Sequence, residues 1–122
     1  MESSKGPIVL IVEDEFLIRM MVADELRALG LTVIEAASAD EAFPILLGDA
    51  PVHVLFTDVR MPGSMDGVEL ARRARDMRPN LKVIVTSGHG PDIPKDAADA
   101  YFPKPFDVQE VVQIIRRSLG RS

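Results

Sequence analysis

Short apolar runs alternate with longer amphipathic segments along the whole chain. The apolar runs are rich in β-branched residues, which is typical of buried strands, and they lie at 7–13, 31–36, 52–57, 81–87 and 100–103. Most of the segments between them repeat apolar residues every three or four positions, as helices packed on one face do. Five strand–helix units in 122 residues predict an α/β fold, a doubly wound five-stranded parallel sheet with helices on both faces.

The predicted helices differ in regularity. Ser38 and Glu41 have the spacing of a capping box at the start of the second helix. Pro44 removes a backbone donor from that helix and should kink or shorten it. Two prolines and two glycines within 88–98 predict that the fourth helix is short or irregular. The third helix carries four arginines, which we expect mostly on a solvated face: Arg72, Arg73, Arg75 and Arg78.

Composition narrows the classes of partner. The net charge is −5 and no Lys/Arg run is present, so we expect no direct nucleic-acid partner and no membrane partner. Absence of cysteine excludes disulfides and thiolate metal sites. The first residues lack the apolar core of a signal peptide, and a cytoplasmic location is expected. We also expect one domain over 1–122, with no output domain.

Polar side chains follow four of the predicted strands. Glu13 and Asp14 end the first strand, Asp58 the third, Ser87 the fourth and Lys104 the fifth. Ligands of open parallel sheets bind outside the carboxyl ends of the strands. If these four strands are neighbours, the five side chains surround one crevice.

The chemistry of this set suits a metal ion and a phosphoryl group. Three carboxylates close together repel one another unless a cation joins them. They are hard oxygen ligands with no histidine or cysteine among them, which favours Mg²⁺. An ammonium, a hydroxyl and a metal ion around one carboxylate would balance the charge of a phosphoryl group. Asp58 is then the nucleophile that forms an aspartyl phosphate.

Each of these residues, taken alone, has a commoner role. Glu13 and Asp14 are suited to capping the first helix, Asp58 and Ser87 to turns, and Lys104 to a solvated surface. Their joint placement at the ends of four different strands is what favours a shared site.

Four motifs carry a family resemblance: IVEDE at 11–15, TDVRMPGSMDG at 57–67, VIVTSG at 83–88 and YFPKPF at 101–106. In this order and spacing the chain resembles the receiver domain of bacterial two-component response regulators, of the single-domain, chemotaxis-regulator-like kind. The resemblance covers essentially the whole chain. It implies a flavodoxin-like strand order of 2-1-3-4-5.

The resemblance also implies roles for individual residues. Asp58 would be the phosphoacceptor, and Glu13, Asp14 and Asp58 would bind Mg²⁺ together with the backbone carbonyl of Arg60. Ser87 would hold a phosphoryl oxygen.

The residues around the fifth strand have implied roles as well. Lys104 would pair with the phosphoryl group, and a cis peptide at Lys104–Pro105 would aim it into the site. Tyr101 matches the aromatic switch position of the family, and it would act together with Ser87.

The implied function is a phosphorylation-activated signalling switch. A sensor histidine kinase or a phosphotransfer protein would donate the phosphoryl group, and an unknown downstream protein would respond. The chain would not be an enzyme beyond catalysing its own phosphorylation and slow dephosphorylation. One departure from the family pattern is MPGSMDG, which is one residue longer than usual, so the loop after Asp58 should bulge.

Two other functions are weighed against this one. A phosphatase of the haloacid-dehalogenase type also forms an aspartyl phosphate, but it needs an acid two residues after the nucleophile, where this chain has Arg60. A non-phosphorylated binding module would keep only the fold. The intact set of Asp14, Asp58, Ser87 and Lys104 argues against that module.

Overall fold

Strands and helices alternate through most of the computed structural model, which describes residues 7–61, 63–88 and 96–120. The strands are β1 (Ile8–Val12), β2 (Thr32–Ala36), β3 (Val52–Asp58), β4 (Lys82–Ser87) and β5 (Ala100–Pro103). The helices of the described residues are α1 (Phe16–Ala28), α2 (Ala39–Leu47), α3 (Gly67–Met77) and α4 (Val108–Ser118).

The five strands form one parallel sheet in the order β2-β1-β3-β4-β5, which confirms the expected topology. The strand order reverses between β1 and β3, because the chain adds β2 on one side of β1 and the later strands on the other. Residues Val12 and Thr57 are partners across this junction. The ends of β1 and β3 therefore flank the topological switch point, where open sheets bind ligands.

Helices cover both faces of the sheet, as predicted. Leu55 of β3 lies in the apolar layer beneath α2 and α3, with Leu46 and Leu70. The next residue of the strand, Phe56, lies in the layer beneath α1 and α4, with Leu26. Neighbouring strand residues alternate between faces, so β3 is buried on both sides and is fixed in position. Its last residue, Asp58, is buried as well.

Helix α2 is short and contains Pro44. Ser38 accepts a hydrogen bond from the Glu41 N–H at 3.1 Å, and the Glu41 carboxylate accepts one from the Ala37 N–H at 2.9 Å. The helix ends one turn after the proline. The predicted irregular helix falls on 88–98, of which 89–95 lie outside the described residues. None of the described helices is long and apolar enough to cross a membrane.

The expectation of a solvated face is wrong for Arg78, which is half-buried. Its guanidinium donates hydrogen bonds to the backbone carbonyls of Leu46, Gly48 and Ala50, where the chain leaves α2 and turns into β3. Carbonyls at the end of a helix have no partner within the helix. Arg78 supplies that partner from the end of α3, and so ties α3 to α2.

We expect Arg78→Met to lower the free energy of unfolding by about 2 kcal/mol, because hydrogen bonds from a charged donor to part-buried carbonyls are lost. Urea denaturation measures this. Arg72→Met is the matched control, since Arg72 makes a long, exposed ion pair with Asp96 at 4.0 Å and should lose less than about 1 kcal/mol. Equal losses in Arg78→Met and Arg72→Met would mean that the carbonyl contacts of Arg78 contribute little.

Candidate functional site

Three carboxylates meet at the carboxyl edge of the sheet. Glu13 follows β1 and is fully buried, Asp58 ends β3 and is buried, and Asp14 is exposed. One oxygen of each lies within 4.8 Å of the others. The Glu13 N–H donates to the carbonyl of Ala36 at 3.1 Å, so the chain stays tied to β2 just beyond β1. The cluster therefore follows from strand order.

Lys104 reaches into this cluster from the end of β5. Its ammonium donates a hydrogen bond to Asp58 Oδ2 at 2.7 Å and lies 2.9 Å from Glu13 Oε1 in an ion pair. The Lys104 N–H donates to the carbonyl of Ser87 at 2.8 Å, and the Lys104–Pro105 peptide is cis, as predicted. One ammonium is therefore paired with two of the three carboxylates.

The pKa values of Glu13 and Lys104 are both shifted in this ion pair. Burial raises the pKa of Glu13, and the nearby charge of Asp58 raises it further. Hydrogen bonds from the Glu15 N–H and from Lys104 lower this pKa, but the net shift is upward. For Lys104 burial lowers the pKa, but hydrogen bonds and charge from Asp58 and Glu13 outweigh it, so its pKa is raised. Lysine stays charged, and the site keeps an excess of negative charge.

The donor set suits Mg²⁺. Glu13 Oε1 is buried and accepts no hydrogen bond of good geometry within the described part of the chain, although it is ion-paired with Lys104. One ammonium faces two buried carboxylates, Glu13 and Asp58, so a second cation would stabilise the cluster further. All three candidates offer hard oxygen atoms, and the exposed Asp14 leaves room for the water that Mg²⁺ retains.

The loop after Asp58 is packed closely against it. The Arg60 N–H donates to Asp58 Oδ1 at 3.3 Å, whereas the Arg60 side chain is exposed. The Gly67 N–H donates to the carbonyl of Val59 at 2.8 Å. A Cβ at Gly67 would lie 1.9 Å from the carbonyl oxygen of Asp58, so any side chain there would displace the backbone of the predicted nucleophile.

The two predicted switch residues lie on neighbouring strands. Ser87 is buried at the end of β4, one residue beyond Thr86, which is the strand partner of Asp58. Tyr101 is the partner of Val85 on β5 and is 37% exposed. Ser87 thus lies at the same edge as the acid cluster, and Tyr101 lies further down the sheet, outside it.

Sequence reasoning missed the role of Arg19. Its guanidinium donates to the backbone carbonyl of Glu13 at 2.7 Å and to the carboxylate of Glu35 at 3.2 Å. It therefore holds the segment that carries Glu13 and Asp14 against α1 and β2. An arginine on an amphipathic helix has no spacing signal that would reveal such a backbone contact.

Comparison with known proteins agrees with this geometry. The family model of the response regulator receiver domain matches residues 9–116. Sensor kinase CckA of Brucella abortus is 39% identical over 97% of this chain, and the chain spans 13% of that protein. Sporulation initiation phosphotransferase F of Bacillus subtilis is 29% identical over 91% of the chain and 92% of its own length.

A solved structure is similar in fold as well as in sequence. The response regulator TrrA of Thermotoga maritima, in complex with Mg²⁺-BeF, has a TM-score of 0.80 and 27% identity over 92% of this chain and 98% of its own. The match of the family model to most of the chain, together with the strand order, shows that the chain belongs to the response regulator receiver domains, the phosphorylation-activated switches of signalling.

Proposed function

We propose that this chain accepts a phosphoryl group on Asp58 from a sensor histidine kinase or a phosphotransfer protein. The observation that carries the proposal is the buried carboxylate of Asp58, 2.7 Å from the ammonium of Lys104, beside Glu13 and Asp14. A carboxylate at the topological switch point of the sheet, where a phosphoryl donor can reach it, is suited to nucleophilic attack on phosphorus.

In the proposed reaction a carboxylate oxygen of Asp58 forms a bond to phosphorus while the bond from phosphorus to the donor breaks. The donor leaves with that electron pair. Lys104 then pairs with a phosphoryl oxygen, because its ammonium already touches the attacking carboxylate. The hydroxyl of Ser87, buried at the end of the next strand, donates to another phosphoryl oxygen.

Glu13, Asp14, Asp58 and the backbone carbonyl of Arg60 would hold Mg²⁺. When bound, the ion supplies positive charge that offsets the acids and the phosphoryl oxygens. The clustering of the three carboxylates around a single ammonium supports this choice, and so does the Mg²⁺-BeF complex of the related Thermotoga regulator.

Phosphorylation should change the environment of Tyr101. The Ser87 hydroxyl moves toward the new phosphoryl oxygens, and the ring of Tyr101 moves from a part-exposed position into the space behind it. Both states must lie within a few kcal/mol for the switch to work. Tyr101 is the only tyrosine and tryptophan is absent, so tyrosine emission on addition of acetyl phosphate and Mg²⁺ reports the change. Unaltered emission would remove Tyr101 as the switch, and Ser87→Ala should weaken the response.

Intact-protein mass after incubation with acetyl phosphate and Mg²⁺ tests the proposed function against its rivals. A switch gains one persistent phosphoryl group. A phosphatase instead turns over phosphate monoesters, and a binding module does neither. The partner that reads the phosphorylated state is an unidentified downstream protein, and we propose a cytoplasmic location for the exchange.

A further inference from the structure

The loop after Asp58, for which the sequence predicts a bulge, is tied to α2 through Ser64. Asp40, in the first turn of α2, accepts hydrogen bonds from the Ser64 N–H at 2.9 Å and from the Ser64 hydroxyl at 2.8 Å, one on each carboxylate oxygen. We call this pair of bonds the Asp40–Ser64 clasp.

The backbone of the loop is adapted to the clasp. Gly63 has a φ of +116°, which L side chains rarely adopt, and a Cβ there would lie 2.5 Å from Asp40 Oδ2. The two hydrogen bonds from Ser64 lower the pKa of Asp40. The carboxylate is therefore charged at neutral pH, and a charged acceptor makes the stronger hydrogen bonds.

The clasp completes a set of three attachments of the loop. Near its start the Arg60 N–H donates to Asp58 Oδ1, and at its end the Gly67 N–H donates to the carbonyl of Val59. The clasp holds the tip between them. Arg60 itself makes the first attachment, and its carbonyl follows that bond in the direction of the tip.

We propose that Asp40 is a positioning residue for the phosphorylation site: through Ser64 it holds the loop so that the Arg60 backbone faces the Mg²⁺ pocket. This inference rests on the proposed function, because it uses the Arg60 carbonyl as a metal ligand. Removing a group that orients a metal ligand typically lowers metal affinity by about 10- to 100-fold.

A purely local role for Asp40 makes a different prediction. An acid in the first turn of a helix is stabilised by the helix dipole, so Asp40 could serve α2 alone. Ser38→Ala is the matched control for that role, because it removes the cap of the same helix turn, a bond to the Glu41 N–H, without touching the loop.

The test measures Mg²⁺ affinity by calorimetry without a phosphoryl donor, and amide hydrogen exchange of Ser64 in metal-free protein. Asp40→Ala should raise the Kd for Mg²⁺ about tenfold, the lower end of the loss caused by removing outer partners of metal ligands, and should speed exchange at Ser64. Ser38→Ala should leave both unchanged. Ser64→Thr keeps both donors and should behave as the wild type, whereas Ser64→Ala should be intermediate.

An unchanged Kd in Asp40→Ala would overturn the positioning role, and so would an equal rise in Ser38→Ala. If Asp40→Ala fails to fold, Ser64→Ala decides alone: its Kd must rise, or the proposal is wrong. Failure of the wild type to gain phosphate from acetyl phosphate would contradict the proposed function instead. The affinity and exchange measurements would still decide whether the clasp controls the loop.

Discussion

The Asp58→Asn protein is expected to gain no phosphoryl group from acetyl phosphate and Mg²⁺, while it remains folded. An amide oxygen is a far weaker nucleophile than a carboxylate, and neither Glu13 nor Asp14 ends β3, where Asp58 is placed. The free energy of unfolding of the metal-free protein should stay the same or rise. The substitution removes one of three mutually repelling charges and leaves Glu13 paired with Lys104.

Intact-protein mass measures phosphorylation in this experiment, and urea denaturation measures stability. Asp76→Asn is the matched control, since Asp76 is an exposed aspartate on α3, and it should be phosphorylated at the wild-type rate. Phosphorylation of Asp58→Asn at the same rate as Asp76→Asn would mean that another residue is the nucleophile.

The Lys104→Met protein should lose about 3 kcal/mol of unfolding free energy when Mg²⁺ is absent, the lower end of the cost of breaking a buried ion pair. The loss follows because Glu13 and Asp58 would be left buried without a cation. The lower end applies because the Lys104 side chain is 17% exposed, so water screens part of the interaction. Mg²⁺ should restore more stability to this variant than to the wild type, since the ion then supplies all the positive charge.

Urea denaturation in EDTA and in Mg²⁺ checks this prediction. Lys82→Met serves as the control, because Lys82 is exposed at the opposite end of the sheet. A small loss that matches Lys82→Met would show that Lys104 stabilises the fold little. A loss that Mg²⁺ does not reduce would show that the cation and Lys104 do not share the same carboxylates.

The strands and the polar residues at their ends were predictable because both depend on local patterns. Apolar runs mark strands, and a polar residue directly after such a run, such as Asp58 or Lys104, must lie at the carboxyl edge of a parallel sheet. The strand order itself came from the family resemblance. It is what brings Glu13 to Asp58.

The contacts that hold the site in place were not predictable in this way. Arg78 donates a hydrogen bond to the carbonyl of a residue 32 positions earlier. Asp40 accepts hydrogen bonds from Ser64, which lies 24 positions later. Such pairs form only when two helices or a helix and a loop have packed. Arginine or aspartate on a helix surface has the same sequence pattern whether or not it finds a partner. The extra loop residue was visible in the sequence, but its attachment to α2 was not.

Locating the phosphoryl group tests directly whether Asp58 is the phosphoacceptor. Borohydride reduction of phosphorylated protein converts an aspartyl phosphate to homoserine, which peptide mass spectrometry then places in the chain. We predict homoserine at position 58 and nowhere else, formed only when Mg²⁺ is present. A modification at Asp14, Ser87 or His53, or unmodified Asp58 in protein that carries a phosphoryl group, would contradict it.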